Sequence, residues 1–437
     1  GKVASTGFYA NTVNQKFTFD ATDKLSFYAR GGYYDNKTRR PYEAYDYNIL
    51  HETFNYGIGA QYMINKGNYI TADCYADHFS SSYCFFKDNK TYNGKAGEEQ
   101  VRKRTRNHNL SIKGIFKLGN RHKLSVGTEY IVDVLKSQTD NIAKEDAYTL
   151  ALFAQDEIKL LRNLQALIGV RYIYHENFKN HATPNVALMY KPGKFNFRAS
   201  YAAGFRTPTL SELYATDIAK KNDRLTIGNL DLKPEKNNYF SLSAEYVHER
   251  FSVSVNAFYN NIRDMIDYNT IATGDKAMEQ YGHKEVRQRD NIAEAKVHGI
   301  NVSANAYLGA GFNLSGGYTH LNTQDVELEQ PIDKSIKNAY NINAQWAHSW
   351  KIYRLNINLN GRFNSKRFSK SYGYAPEYQL WDLNTRHSFN LKSVIIEPGC
   401  GMENLFDYMD DRPYNSNYAT LTPGRSFYIS LSLKFKS

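Results

Sequence analysis

The side chains with most to offer a ligand lie in polar stretches between segments of regular alternation. The longest stretch, residues 204–235, carries Arg206, Tyr214, Lys220, Lys221 and Arg224. A connector of about thirty residues is uncommon unless it is functional or disordered. Arginine can hold a carboxylate bidentately, and aromatic rings can stack on a planar ligand. His175 and His181 flank a second polar stretch, His283 lies in a third, and His51 and His320 stand near strand ends. Imidazole is a good ligand for haem iron; the plainer reading is that scattered loop histidines are solvated and idle. Cys74, Cys84 and Cys400 are too few for a disulfide framework. Cys74 and Cys84 could pair in an oxidising compartment, whereas a zinc site would want more ligands at closer spacing. Ser81, His283 and Asp290 can be imagined as a hydrolytic group, but no motif joins them.

The elements that must position these residues are strands. Period-2 alternation recurs through nearly all of the 437 residues. Leu355, Ile357 and Leu359 interleave with Asn356, Asn358 and Asn360; Phe251, Val253, Val255, Ala257 and Tyr259 interleave with Ser252, Ser254 and Asn256. The last segment runs through Phe427, Ile429, Leu431, Leu433 and Phe435. Each segment has one apolar and one polar wall. No apolar run reaches about 18 residues, which excludes α-helical spans but not membrane strands of ~9–11 residues. Asn and Ser along the second wall suit a wet lumen better than a dry core.

Roughly nineteen such strands are expected, many longer than the usual ~5–6 residues. The connectors alternate between short and long. Short ones fall near Asp20–Lys24, Asn65–Asn68, Gly119–His122, Leu161–Asn163, Lys191–Lys194, His248–Arg250, Leu308–Gly311, His348–Lys351 and Arg386–Phe389. Longer polar ones fall near 36–50, 85–100, 136–146, 175–183, 204–235, 262–285, 325–336, 367–378 and 405–423. Short turns on one side and long loops on the other mark a transmembrane antiparallel β-barrel rather than a soluble sandwich. The 36 Tyr, 24 Phe and 3 Trp then have a place, as girdles at the two interfaces. Cross-strand pairing of aromatics is the plainer reading of some of them. The formal charge of +11 favours an anionic ligand or membrane surface. No basic block is long enough to favour nucleic acid, and the densest, Val101–Arg106, sits beside Glu98 and Glu99.

The segment from Phe197 to Tyr214, with Phe205-Arg206-Thr207-Pro208, resembles the TonB-dependent outer-membrane receptors. So does Gly228 to Lys236, with Asn229-Leu230-Asp231-Leu232. Glu403-Asn404-Leu405-Phe406-Asp407 and Pro423 to Phe427 are further matches, leading into a final strand like the signal read by the barrel-assembly machinery. The resemblance implies a barrel of about 22 strands around a plug. Residues 1–437 would be its barrel domain, beginning near the fourth strand, with the plug and the TonB box elsewhere. It implies a bacterial outer-membrane, multi-pass protein that imports cargo with energy from the TonB-ExbB-ExbD complex. The cargo would be a metal chelate: a ferric siderophore, haem or cobalamin, carried as cargo rather than held as a cofactor. Membrane lipid and a surface lipoprotein are further partners the family allows.

The candidate ligand residues are Phe205, Arg206, Thr207, Pro208, Tyr214, Asn229, Asp231 and Leu232, with His175, His181 and His283 as candidate haem or metal ligands. Two readings of the boxes stand open. They contact ligand, or they anchor the loop, with Pro208 and Pro234 fixing backbone angles and Asn229 and Asp231 capping turns. Haem receptors usually carry a ligating histidine between the boxes; Thr209–Gly228 has none. His122, His248, His348 and His387 fall on the periplasmic side. The alternatives are a barrel enzyme and a passive porin or adhesin.

Overall fold

A computed structural model describes residues 7–40, 45–219, 223–369, 373–409 and 424–436. Lys220, Lys221 and Pro423 lie outside the described residues, as does most of 405–423. The first ten strands follow one another as hairpins: β1 (Phe8–Thr22), β2 (Leu25–Thr38), β3 (Tyr47–Asn65), β4 (Asn68–Phe85), β5 (Glu99–Leu118), β6 (His122–Ser137), β7 (Ile142–Leu161), β8 (Leu164–His175), β9 (Lys179–Tyr190) and β10 (Phe195–Arg206). A short helix α1 (Leu210–Tyr214) and two short strands, β11 (Thr216–Ala219) and β12 (Arg224–Ile227), interrupt the series. It resumes with β13 (Glu235–Val247) and β14 (Phe251–Thr273), then helix α2 (Gly274–Tyr281), β15 (Glu285–Gly309), β16 (Phe312–Asp325), β17 (Asn338–Trp350) and β18 (Tyr353–Asn364). A two-stranded flap, β19 (Arg367–Ser369) and β20 (Gly373–Ala375), precedes β21 (Tyr378–Asn390), β22 (Val394–Glu403) and β23 (Ser426–Phe435). Among the described residues the main sheet has 21 strands; without the short β11 and β12 it has nineteen long staves, as the alternation implies. β1 pairs only with β2, and β23 only with β22, so these two are the sheet's edges among the described residues.

Register assigns every stave an outer and an inner face. Val186, Tyr201, Phe240 and Tyr259 pair in one row, and Leu188, Ala199, Leu242 and Ala257 in the next. These form an apolar outer wall, in which Leu242 is 63% exposed. The inner row is polar. Ser200 and Ser241 hydroxyls are 2.7 Å apart, as are those of Ser254 and Ser303. Asn107 donates to Asp133 at 2.8 Å, and Lys123 pairs with Glu157 at 3.0 Å. Arg171 pairs with Glu129. Aromatic rings border the outer wall at both ends. At the short-turn end, Tyr246 lies 4.9 Å from Phe195, and Trp350 lies 5.5 Å from Tyr353. At the other end are Tyr130, Tyr148 and Tyr174, with centroids about 6 Å apart (5.9 and 6.1 Å).

The structure corrects three expectations. The last short turn lies at residues 391–393, between β21 and β22, not at Arg386–Phe389. Two outer connectors are as tight as the inner turns: β6 and β7 are joined by 138–141, and β8 and β9 by 176–178. His181 is therefore a strand residue. Cys74 and Cys84 both lie on extended β4, ten positions apart. At ~3.3 Å per residue their separation is far beyond the ~7 Å Cα limit for a disulfide, so they cannot pair with each other, and all three cysteines are free.

Two substitutions on neighbouring positions test the face assignment. Leu242→Lys puts a charge midway along the outer wall and should cost the barrel about 2–4 kcal/mol on folding into lipid vesicles. Ser241→Lys, one residue away on the lumen side, should cost much less. Heat-modifiable gel mobility reads both; equal effects would reject the assignment.

Candidate ligand-binding mouth

The segment between β10 and β13 is positioned by its two ends. Arg206 closes β10 and stands directly opposite Glu235, the first residue of β13. Its Nε donates to Glu235 Oε2 at 2.8 Å and its Nη2 to Glu235 Oε1 at 2.6 Å. Nη1 and Nη2 also reach the two oxygens of Glu212, at 2.9 and 3.3 Å. Glu212 belongs to α1 and closes a capping box: Thr209 N–H donates to its carboxylate at 2.8 Å, while Thr209 Oγ1 accepts from Glu212 N–H at 3.2 Å. One guanidinium thus joins both barrel strands to the loop between them. Burial alone would push the Glu212 carboxyl up, but Arg206 and the Thr209 donors hold it below the usual range.

Beyond Arg206 the chain crosses the mouth. Ser211 Oγ donates to Asp140 at 3.2 Å, and Thr216 N–H donates to the Asp140 carbonyl at 2.8 Å, docking α1 on the β6–β7 connector. β12 then pairs in parallel with the start of β15. Leu213 packs with Leu232 and Ile266, and Tyr214 bridges this cluster to Leu135, Ile142 and Ala215. Gly228 lies against α1; a Cβ there would meet the Leu213 carbonyl oxygen at 2.5 Å, so no other residue fits.

The sequence-derived site residues take their places in this bracing. Asn229 accepts from Asp231 N–H at 2.9 Å and donates to the Arg289 carbonyl at 3.0 Å. Leu232 and Pro208 are buried, while Thr207 is half-buried and Asp231 exposed. Phe205 stacks on His181 at 4.6 Å. The histidines are engaged locally rather than brought together. His175 Nδ1 accepts from Asn177 N–H at 3.1 Å, His181 Nε2 donates to the Phe178 carbonyl at 3.0 Å, and His283 Nδ1 lies 2.9 Å from Asp223. No group of three metal-ligating side chains occurs among the described residues. Ser81, on β4, and Asp290, on β15, share no hydrogen bond with His283 among the described residues.

Sequence reasoning missed a second cluster. Tyr47 and Tyr83 stack at 4.0 Å where β3 and β4 reach the mouth, and Tyr92 from the β4–β5 loop meets them at 5.7 and 5.2 Å. Arg102 lies over Tyr83 and Tyr92 at 5.3 and 5.0 Å and donates to Gln138 at 2.8 Å. Arg40 lies over Tyr45 and Tyr47 at 4.4 and 5.0 Å, and Arg289 over Tyr268 at 3.6 Å. The only advance signal was a basic run next to a long polar loop. Cations on tyrosine faces give a surface that suits an anionic, flat ligand.

Arg206→Ala would leave two partly buried carboxylates unpaired, a loss of about 1.5–3 kcal/mol. Amide exchange in 207–234 should accelerate roughly 10- to 100-fold, with the barrel strands unchanged. The depressed Glu212 carboxyl gives the pH sign: its contribution is complete above the unfolded value of about 4.3 and fades as pH falls through the lower folded value. Exchange in the loop should therefore show no added loosening from neutral to about pH 5.

A family described as "TonB dependent receptor-like, beta-barrel" matches residues 3–404. The fold is similar to that of a double mutant of the ferric enterobactin receptor PfeA from Pseudomonas aeruginosa, at TM-score 0.81 and 17% identity, covering 99% of this chain and 71% of that one. It is also similar to the siderophore receptor PirA from Acinetobacter baumannii, at 0.75 and 16%, covering 97% and 70%. The iron transporter FrpB from Neisseria meningitidis matches at 0.74 and 12%, covering 98% and 71%. At these identities the likeness speaks for the fold, a type characteristic of the outer membrane, while the family match runs through almost every stave. The chain belongs to the TonB-dependent receptor β-barrel family.

Proposed function

We propose that the protein takes up an anionic ferric chelate of the siderophore class across the bacterial outer membrane, driven through TonB, and performs no chemistry on it. The observation that carries this reading is the mouth cluster of Tyr47, Tyr83 and Tyr92 with Arg102 and Arg40. Such a surface recognises the organic shell of a chelate by stacking and charge, and needs no protein ligand on the iron. Each of His175, His181 and His283 has one ring nitrogen engaged, which leaves the other able to meet iron, so the preference over haem rests on the tyrosine–arginine cluster alone. The net charge of +11 assists capture of an anion. A plug in the lumen, the TonB-contacting segment, the ExbB-ExbD partners and a surface lipoprotein belong to the proposal through the family alone.

Purified protein titrated with a ferric tris-catecholate, haem and cobalamin, followed by fluorescence quenching and visible absorbance, separates the cargoes. The ferric catecholate should bind, and Arg102→Ala should weaken it about tenfold, the worth of one desolvated cation–π or charged hydrogen bond. Haem should give no shifted Soret band. Haem binding that disappears in His181→Ala would replace this reading; silence with all three ligands would reject it.

A further inference from the structure

The short-turn end of the lumen gathers cations that the protein itself does not balance. A cavity of about 750 Å³ opens on the inner wall of β5–β10, lined by Lys117, Arg121, Lys123, Lys159 and Arg198 with Glu157. Lys117 stands directly across from Lys123, and like charges so placed on a sheet are destabilising. Glu157 is taken by Lys123 at 3.0 Å. The carboxylates nearby are also occupied: Asp156 pairs with His122 at 2.6 Å, and Glu245 accepts from Asn196 at 2.8 Å. Lys117, Arg121, Lys159 and Arg198 are exposed, and their side chains make no ion pair among the described residues. Arg198 Nη2 donates to Met189 Sδ at 3.4 Å, a weak acceptor that leaves the charge uncompensated.

The floor between these cations is apolar. Leu167 pairs with Ala187, and Met189 stands across from Arg198. A concave site of this volume, apolar with a few converging charges, has the form of a small-molecule site. Arg102 at the mouth and Lys117 in the cavity belong to the same strand, β5, with ~50 Å of strand between them. The inner wall between the two is neutral or acidic. Asp73, Asp133 and Glu129 lie there, held by Tyr28, Asn107 and Arg171. An anion that leaves the mouth therefore next meets unpaired cations at the far end, where a concave wall of one sign concentrates counter-ions.

We propose that this cavity is a second site for the chelate at the periplasmic end of the lumen. Lys117, Lys159 and Arg198 hold its anionic groups, and an aromatic arm rests on Leu167 and Met189 before release. The inference rests on the proposed import of an anionic chelate and goes beyond it by placing a stop on the exit side. It explains why these cations gather on the inner wall without a protein counter-ion.

In detergent both ends of the barrel meet solvent, so calorimetric titration of the full-length protein with a ferric tris-catecholate tests it. Wild type should show two classes of site, the weaker of which fades as ionic strength rises. The triple variant K117Q/K159Q/R198Q should bind at the weaker class at least roughly tenfold less tightly, while keeping the tighter class and its heat-modifiable mobility. Arg102→Ala should weaken the tighter class alone. In cells the triple variant should lower the maximal uptake rate with the half-saturating concentration unchanged. Should it fail to fold, Leu167→Trp, which fills the floor and leaves the charges, takes its place with the same expected result. A single tight class in wild type, a weaker class that survives both variants, or its displacement by inorganic phosphate at matched concentration would each overturn the proposal. Slower uptake accompanied by leakage of a large antibiotic would overturn it too, because the cations would then seat an acidic segment of the plug. No chelate binding by wild type at all would strike the cargo reading and this inference with it, whereas a lone tight class strikes this inference only.

Discussion

Backbone pairing is the constraint from which the rest of this molecule follows. In hydrocarbon a peptide group finds no water, so every stave must satisfy its N–H and C=O groups on its neighbours. That demand explains strands of 10 to 25 residues joined as antiparallel hairpins, and it leaves the side chains free to divide between two solvents. The outer wall is apolar because it is not hydrated, and the inner wall can be Asn and Ser because it is. The negative mean hydropathy of −0.63 is the sum of a thin apolar band, a wet lumen and the polar mouth.

The same constraint decides what could be read in advance. Nineteen staves were legible because the period of two persists wherever one face meets lipid. The outer strand ends were not. Past Ile262, β14 continues through Asp267 and Asn269, paired with Asp290 and Gln288. There both faces are in water, so the alternation loses its apolar mark although the ladder continues. The turn misplaced at Arg386–Phe389 has the same origin: His387 and Ser388 look like turn residues, yet they pair with Leu355 and Arg354 on β18. At the site, the loop boxes were visible as motifs, but the Arg206–Glu235–Glu212 clamp depends on register. The stacked Tyr47 and Tyr83 sit 36 positions apart and become neighbours only through the β3–β4 pairing.

The clamp also bears on the division of labour in the mouth. Four of the five N–H donors of Arg206 are already committed to two carboxylates at 2.6–3.3 Å. A ligand carboxylate or catecholate that recruited Arg206 would have to break charge-assisted bonds of about 1.5–3 kcal/mol each to form bonds of the same kind, with no net gain and with Glu212 and Glu235 left uncompensated. Among the described residues the guanidinium groups of Arg102 and Arg40 meet no carboxylate: both lie over tyrosine faces, and that of Arg102 also donates to Gln138. An arriving anion adds to these contacts rather than replacing them. On the proposed reading, affinity would therefore sit with the stacked cations at the rim, while Arg206 keeps the loop braced between β10 and β13 so that the rim has a fixed shape to present.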